Sequence, residues 1–442
     1  MSLINKIRLK SFWILDSLEG GHLKKDLNDI KQSFKIKSFS QLQKRNAPIL
    51  KELLDTAVNS SKFYNQYKYY KTLDDFPIVD KSIIKQDLDL INIIPKTSTG
   101  LHKVSSSGST GTPFQIYQTK RKKRRNKADV IYFANSVGFT IGDQLLFIRL
   151  WVEKYKKSFL LRKLMNIIQI DVEADLTDSK IEKLISKIKN DNQPKGFIGY
   201  PTGFEKICKY LDKVKSLPLE CNVKSIIATS ESLYDVVRKK MEYYFKAPVV
   251  SRYSNEENGI ISQQMINDKH FTINWASFYI EIFDINEDKP AKPGELGRII
   301  VTDLYNLATP LIRYDTGDLG KLCNFDNDNI PKFEIVTGRI KDVLYNTEGE
   351  IVNPFIVYNG LTPFPELNQF QIIQKSKKKY ILKINIDSEF TREQELLAYY
   401  NSYLGDDANI SVEYVDEIPV LSSGKRRVII NLDKPKAKNE KK

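Results

Sequence analysis

The spacing of apolar residues predicts alternating helices and strands in the middle of the chain. Helical spacing predicts helices that begin near residues 177, 204 and 233, and short apolar runs predict strands over 196–200, 223–229 and 248–253. Strands that alternate with helices are typical of a parallel sheet with helices packed on its faces. We therefore predict a large N-terminal α/β domain.

Helices are also predicted before this region. Apolar residues recur at helical spacing over 46–67, and Pro48 suits the first turn of such a helix. Asp80 is a typical N-cap residue, and it precedes a second predicted helix over 81–90. Both helices are assigned to the N-terminal domain.

The pattern changes twice in the second half of the chain. Short strands separated by turns, over 279–284, 297–303, 320–325 and 332–336, predict a small and mostly antiparallel β subdomain. After Gly338 the order becomes strand, strand, helix, strand, over 370–374, 380–386, 392–404 and 410–415. This order predicts a mobile C-terminal α+β domain, so we divide the chain into domains at 1–338 and 339–442.

Composition and charge limit the classes of function. The 442 residues are 41% hydrophobic, enough for a substantial core, and the net charge is +14. Much of that charge lies in the basic runs 120–127 and 434–442. Such runs can bind nucleic acid or an anionic membrane, but they are more often solvated surfaces, and no aromatic residue interrupts 120–127. We expect no specific nucleic-acid partner, whereas weak peripheral membrane contact stays open.

Cysteine and histidine are too sparse for several kinds of site. The three cysteines form no CxxC pair and the three histidines are scattered, which argues against a zinc site or a histidine-based triad. No apolar run approaches the roughly 20 residues that a membrane span needs. The composition therefore predicts a soluble, cytoplasmic protein.

The segment 105–113, with the sequence SSSGSTGTP, is the most informative stretch for chemistry. Glycine permits close approach of the backbone to an anion, and successive N–H groups with hydroxyls can bind phosphate. The same composition also fits a flexible linker. It is not a Walker A loop, because Gly111 is followed by Thr112 and Pro113 rather than by lysine. A phosphate site here would need a lysine from elsewhere.

Four other polar segments are candidates for binding or catalysis. The segments 229–232 and 254–259 follow predicted strands, where ligands of parallel sheets bind, although ordinary loops also occur there. Glu256 and Glu257 in the second segment could hold Mg²⁺, which prefers oxygen ligands. Asp318 lies in a predicted turn, and Lys425 lies in a glycine-tipped basic loop over 421–427. Each also has a purely structural interpretation.

In this order the segments resemble the adenylate-forming superfamily of acyl-CoA synthetases. The resemblance is strongest to the phenylacetate–CoA ligase branch, which includes relatives from capsular polysaccharide gene clusters. It extends from the hydroxyl-rich loop to Lys425. Phe114 stands where the family usually has lysine after the loop's proline.

The resemblance implies a role for each matched residue. ATP would be bound by Ser106, Ser107, Gly108, Ser109, Thr110, Gly111, Ser230, Glu231, Ser232, Tyr253, Ser254, Asp318 and Arg339. Among these, Tyr253 would stack on adenine, while Asp318 and Arg339 would reach the ribose. Glu257 would bind Mg²⁺, with Glu256 as the competing candidate. Lys341 would be the hinge, and Lys425 would catalyse adenylation. The acid pocket would lie partly around Tyr200, Pro201 and Thr202.

The implied reaction uses ATP and Mg²⁺ to convert a small-molecule carboxylic acid into an acyl-adenylate. The acyl group would then pass to coenzyme A. A second possibility is transfer to an amine or hydroxyl acceptor during surface-polysaccharide assembly. A third and less expected one is a non-catalytic basic binding protein. The sequence leaves open the acid, the acceptor and a homodimeric state.

Overall fold

Ten α-helices and nineteen β-strands are present in the part of the chain that the computed structural model describes. The described residues are 3–106, 114–151, 156–323, 328–339, 343–352, 363–364, 366–386, 389–420 and 426–433, with only the backbone described for Ser106 and Arg339. The helices are α1 Leu3–Leu18, α2 His22–Ser33, α3 Phe39–Ser60, α4 Lys81–Ile91, α5 Lys120–Asn135, α6 Phe159–Met165, α7 Asp178–Lys189, α8 Pro201–Lys213, α9 Asp235–Phe245 and α10 Glu393–Leu404.

The strands fall into one large sheet and three smaller ones. They are β1 His102–Ser106, β2 Phe114–Gln118, β3 Gln144–Arg149, β4 Ile167–Asp171, β5 Lys195–Gly199, β6 Val223–Thr229, β7 Val249–Asn255, β8 Gly259–Gln264, β9 Phe271–Ile273, β10 Phe278–Phe283, β11 Leu296–Asp303, β12 Tyr314–Cys323, β13 Lys332–Arg339, β14 Leu344–Tyr345, β15 Ile351–Val352, β16 Leu367–Ser376, β17 Lys379–Ile386, β18 Asn409–Tyr414 and β19 Ile429–Asn431.

The large sheet has eleven strands in the order β10-β11-β12-β13-β9-β8-β7-β6-β5-β3-β4. The strands from β3 to β7 pair in parallel, which confirms the predicted strand–helix alternation. Helices α7, α8 and α9 supply Ile181, Phe204 and Met241 to a core shared with Phe197 and Ile226 of the sheet. Strands β4, β5 and β6 are thereby each followed by a helix that covers apolar side chains of the sheet.

The antiparallel strands after residue 259 continue this sheet instead of forming a separate one. A tight turn joins β7 to β8, and the side chain of Asn255 accepts a hydrogen bond from the Asn258 N–H at 2.8 Å. Gly259 has φ of +99°, a conformation that glycine adopts readily. The predicted antiparallel strands are present, but this hairpin joins them edge to edge with the parallel ones.

Two local predictions near the N-terminus had different outcomes. The Asp80 cap is confirmed, since its side chain accepts hydrogen bonds at 2.9 Å from the N–H groups of Ser82 and Ile83. The assignment of Pro48 to a first turn is wrong, because α3 begins at Phe39 and contains Pro48 in its interior. The side chain of Ser38 provides the cap by accepting from the Gln41 N–H at 3.2 Å.

A second sheet and core lie in the C-terminal part. Its four strands have the order β18-β17-β16-β19, and the predicted strand, strand, helix, strand order is confirmed by β16, β17, α10 and β18. Tyr400 of α10 stacks on Phe370 of β16, with ring centroids 5.3 Å apart. The domain boundary at 338/339 stays a prediction.

The basic run 120–127 forms much of α5, and part of it is buried. Lys122 is fully buried and pairs with Asp303 at 2.6 Å. Arg125 is also buried and donates to Asp29 at 2.7 Å and to the Ala276 carbonyl at 2.7 Å. A solvated surface is therefore wrong for these two side chains, because α5 lies against the large sheet with its cations paired.

Candidate active site

The predicted phosphate loop is flanked by a β-hairpin. Strands β1 and β2 pair in antiparallel register, so Ser106 lies opposite Phe114. Of the loop residues, Ser107, Gly108, Ser109, Thr110 and Gly111 lie outside the described residues, as does the side chain of Ser106. The hairpin therefore fixes the two ends between which the loop runs.

The hairpin end contacts a buried carboxylate, Glu257. Phe114 stacks on Tyr314 with an interplanar angle of 4°, and the Tyr314 hydroxyl donates to Glu257 Oε1 at 2.7 Å. Lys81, the first residue of α4, lies 2.9 Å from the same Oε1 and 5.5 Å from the centroid of the Phe114 ring. Gln118 of β2 donates to the Glu257 carbonyl at 2.8 Å. Glu257 is thus held near the end of the hairpin from which the predicted loop extends.

The two adjacent glutamates have different environments. Glu257 is 2% exposed, whereas Glu256 is exposed at the tip of the β7–β8 turn. A buried carboxylate has to be offset by a cation or by hydrogen bonds, and Lys81 with Tyr314 provides both. The burial and the contacts single out Glu257 as the better candidate for an ion beside the loop.

Tyr253 and Asp318 meet across the sheet. The Tyr253 hydroxyl donates to Asp318 Oδ2 at 2.8 Å, although β7 and β12 are not neighbours in the sheet. Asp318 lies within β12, so its predicted position in a turn is wrong. Gly317 has φ of +75° and the β12–β13 register shifts just after Asp318, which is how a bulge re-aims a side chain. Arg339 is the register partner of Asp318 on β13.

Both site tyrosines hold their protons strongly. Burial raises the pKa of Tyr253 well above its ordinary value, and the carboxylate of Asp318 raises it further. Burial likewise raises the pKa of Tyr314, with Glu257 as the second cause. Both phenols therefore stay neutral donors to their carboxylates near neutral pH.

The segment Ser230, Glu231, Ser232 follows β6 directly, and Ser230 has φ of +72°. Glu231 Oε2 accepts hydrogen bonds from the N–H and the hydroxyl of Thr202, at 3.0 Å and 2.9 Å. Beside this turn the Thr229 and Ser254 hydroxyls are 3.4 Å apart. The predicted adenine-binding turn therefore contacts the predicted acid pocket.

The pocket candidates Tyr200, Pro201 and Thr202 begin α8. Pro201 occupies the first helical turn, where its missing N–H costs nothing, and all three residues are buried. Burial raises the pKa of Tyr200, while the positive charge of Arg149 at the end of β3 lowers it. The carboxyl ends of β3, β5 and β6 thus contribute polar groups to one edge of the sheet.

The C-terminal part reaches this edge through Arg426. Its N–H donates to Glu231 Oε1 at 3.2 Å, and its guanidinium donates to Glu205 Oε2 at 2.8 Å and to the Ile418 carbonyl at 3.0 Å. Lys425, the preceding residue, lies outside the described residues, as do Lys341 and the side chain of Arg339. The described neighbour of Lys425 therefore binds the predicted adenine-binding turn.

Sequence analysis missed four residues of this arrangement: Lys81, Glu205, Tyr314 and Arg426. Lys81 and Glu205 lie in helices α4 and α8. The spacing of apolar residues in these helices indicates only how they pack, so nothing in the sequence identified the two charged residues. Arg426 follows Lys425 directly, and Tyr314 lies four residues before Asp318, so proximity to those candidates was the available signal.

The chain matches one family model and several curated proteins. Residues 344–432 match the CapK C-terminal domain family. The chain is 25% identical to Protein CapK of Staphylococcus aureus over 98% of its length and 96% of the relative. It is 24% identical to a phenylacetate-coenzyme A ligase of Pseudomonas putida over 58% of its length and 53% of the relative.

A solved structure shares the fold across both parts of the chain. A 2-hydroxyisobutyryl-CoA ligase in its postadenylation state, in complex with 2-HIB-AMP, superposes with a TM-score of 0.71 at 17% identity, covering 89% of this chain and 90% of that one. The fold is that of the adenylate-forming CoA ligases. The chain shares that fold, and its homologues include CapK and phenylacetate–CoA ligases.

Proposed function

We propose that this protein activates a carboxylic acid with ATP, forms an acyl-adenylate, and transfers the acyl group to coenzyme A. The observation that carries the proposal is the convergence of Tyr253, Glu257, Asp318 and the Arg426 contact on one edge of the sheet. Asp318 and Arg426 are far from Tyr253 and Glu257 in the chain, so the fold rather than the local sequence brings these groups together. The names of the relatives support the same reaction class.

Lys81 is our candidate for the cation that the phosphate loop itself lacks. It lies against Phe114, the residue that replaces the usual lysine, and it is paired with Glu257. A lysine beside a phosphate loop can offset charge on the phosphates as a compact ammonium group. We assign Lys81 to phosphate binding and Lys425 to catalysis of adenylation.

Glu257 fits a Mg²⁺ ion that is bound mainly by the nucleotide. No cluster of three or more histidine, cysteine, aspartate or glutamate side chains suited to a metal occurs among the described residues. Magnesium at nucleotide sites commonly uses one or two carboxylates, phosphate oxygens and water. The Tyr314 hydroxyl and the Lys81 ammonium group both contact Oε1 of Glu257. A bound Mg²⁺ would stabilise negative charge on the phosphates.

Nucleotide binding would replace a hydrogen bond within the protein by hydrogen bonds to the nucleotide. Tyr253 donates to Asp318 at 2.8 Å, so ribose hydroxyls would take the place of a phenol on that carboxylate. The ring of Tyr253 would lie against adenine, beside the turn formed by Ser230, Glu231 and Ser232. The carboxylate of the acid would bind near Tyr200 and attack the α-phosphate in line.

A change in the position of the C-terminal part would separate the two half-reactions. The TM-score is 0.71 against the neighbour's postadenylation state but 0.52 against the same enzyme in its thioesterification state. The Arg426 contact with Glu231 and Glu205 accordingly belongs to the first half-reaction in our proposal. Lys341 would be the hinge, and coenzyme A would bind after this contact breaks.

The test is pyrophosphate release with ATP, Mg²⁺ and a panel of small carboxylic acids, with and without coenzyme A. We expect acid-dependent release, and a thioester only when coenzyme A is added. Absence of acid-dependent release across aryl, alkyl and hydroxy acids would contradict the proposal. Substituting other divalent ions after chelation tests the metal assignment separately.

One observation favours a second acceptor. The match to CapK covers 98% of this chain, whereas the match to the phenylacetate–CoA ligase covers 58% of it. The alternative is transfer of the activated acyl group to an amine or hydroxyl acceptor in polysaccharide biosynthesis. Acid-dependent pyrophosphate release without any coenzyme A thioester would support it. Adding amino sugars or nucleotide-linked sugars and detecting the acylated product by mass spectrometry would then identify the acceptor.

A further inference from the structure

Helix α1 exposes its apolar side to solvent. Six aliphatic residues of this 16-residue helix are between 54% and 79% exposed: Leu3, Ile4, Ile7, Ile14, Leu15 and Leu18. At about 100° per residue they fall within an arc of about 120° on one side of the helix. The opposite side carries the buried polar residues Asn5 and Asp16, and Phe12 and Trp13 there pack against a core cluster. A surface helix normally turns its aliphatic residues toward the core, whereas six of those in α1 face solvent.

Helix α6 extends the same exposed apolar surface. All five apolar residues of this seven-residue helix are at least 41% exposed: Phe159, Leu160, Leu161, Leu164 and Met165. Arg8 of α1 donates to the Lys163 carbonyl of α6 at 3.4 Å, which joins the two helices directly. We call the exposed apolar residues of α1 and α6 together the apolar face. Isolated exposed leucines are common, but a continuous face of this size marks an interaction site.

The charged residues in the two segments of the apolar face are mainly basic. The segments 3–18 and 156–165 contain seven basic residues (Lys6, Arg8, Lys10, Lys156, Lys157, Arg162 and Lys163) and one carboxylate, Asp16. Asp16 is 8% exposed and accepts hydrogen bonds from the N–H groups of Leu23 and Lys24, both at 3.0 Å. The surface is therefore apolar and cationic, the combination that binds anionic lipid.

We propose that the apolar face binds the surface of an anionic phospholipid membrane, with α1 lying in the plane of the interface. A helix of 16 residues is about 24 Å long, too short to cross the hydrocarbon core upright. No described helix is long and apolar enough to span a membrane. Lys6 and Lys10 lie along one edge of the apolar arc and Arg8 along the other, so their side chains can reach headgroups while the aliphatic residues enter the acyl region.

Charge also argues against a second copy of the chain as the occupant. A symmetric contact would place the apolar face of one copy against the same face of the other. The basic residues of each copy would then lie close together and repel one another. An anionic lipid surface satisfies both the apolar and the cationic character.

The test is sedimentation of the 442-residue protein with phosphatidylcholine vesicles that contain either no phosphatidylserine or 30% phosphatidylserine. The variant Ile7→Gln/Ile14→Gln/Leu18→Gln removes apolar area without changing charge. We expect the wild type to partition at least about tenfold more strongly onto the anionic vesicles, and the variant to lose at least about tenfold of that binding. A second variant, Leu160→Gln/Leu164→Gln, tests α6 independently. Leu217→Gln, at a position 78% exposed outside both segments, is the matched control.

Three results would overturn the proposal. Unchanged vesicle binding by both folded glutamine variants would assign the binding to basic segments alone. No binding by the wild type would remove the membrane role altogether. A wild-type dimer, measured by light scattering and dissolved by the glutamine variants without any vesicle binding, would assign the apolar face to self-association. Thermal melting identifies any variant that fails to fold.

Discussion

The two sides of the candidate site are built from different kinds of contact. On the carboxylate side, Glu257 is buried and receives Lys81 and Tyr314, while Tyr253 donates to Asp318. On the C-terminal side, Arg426 reaches Glu231 and Glu205 across a boundary between separate cores. The first set lies within one continuous sheet and its supporting helix, so it keeps its geometry. In our proposal, the second breaks between the half-reactions while both cores stay folded.

This difference fits a reaction in two stages. In our proposal the groups that bind the nucleotide are needed in both stages, and they lie on or beside strands of the large sheet. The catalytic lysine is needed only for adenylation, and our proposal puts it on the part that can withdraw. Substitutions on the two sides should therefore affect different kinetic steps.

The largest effect is expected for Lys425→Ala. Loss of this cation should slow acid-dependent pyrophosphate release by about 10²–10³-fold, because it removes charge stabilisation in the transition state. ATP binding and thioester formation from a supplied acyl-adenylate should change much less. Rapid-quench kinetics of the two half-reactions would measure both. Lys383→Ala, which removes a surface ion pair with Glu413, is the matched control. Wild-type adenylation by Lys425→Ala would contradict the assignment.

The next largest effect is expected for Glu257→Gln. We expect about a hundredfold lower adenylation rate and a higher Mg²⁺ concentration for half-maximal activity, since the amide lacks the charge that holds the ion. Glu256→Gln, one residue away and exposed, should change the rate by less than about threefold. Magnesium titrations of both variants make the comparison. A greater loss in Glu256→Gln would transfer the metal assignment to that residue.

A moderate effect is expected at the contact across the boundary. Arg426→Gln and Glu205→Gln should each slow adenylation by about tenfold, and the double variant should be little worse than either, because the two groups act as one pair. Thioester formation from supplied acyl-adenylate should stay unchanged. Equal losses in both half-reactions would mean that the contact supports the fold rather than the adenylating arrangement.

The smallest effect is expected for Tyr253→Phe. The KM for ATP should change by less than about threefold, because the ring proposed to face adenine is kept and only the hydroxyl on Asp318 is lost. Tyr253→Ala should raise that KM by about tenfold or more, in line with the usual contribution of base stacking. Similar KM values for the two variants would argue against stacking.

Local patterns predicted the elements better than their assembly. The run 223–229 matches β6, and Asp80 caps α4 as predicted, since both depend on neighbouring residues. The helix that contains Pro48 begins earlier than the proline indicates, because Ser38 provides its N-cap and Pro48 lies in its interior. The position of Asp318 was mistaken for a turn, since a bulge within a strand has the composition of a turn.

The candidate site was only partly predictable for the same reason. Tyr253, Glu257 and Asp318 were identified by their resemblance to a family pattern, and the structure brings them to one edge. Lys81 could not be found, because a lysine in the first turn of a helix is ordinary until its neighbours are known. The choice of Glu257 over Glu256 depends on burial, which follows from the hairpin and from the contacts of Tyr314.

The sequence by itself determined many of the elements, the alternation of strands and helices in the middle of the chain, and the family whose motifs the chain resembles. These properties follow from short-range spacing, capping and the chemistry of contiguous residues. Only the tertiary structure decided that Lys81 faces Glu257, that Arg426 contacts Glu231, and that the apolar face of α1 and α6 lies outward. Such contacts join residues far apart in the chain, and an amphipathic pattern does not state which side meets the core.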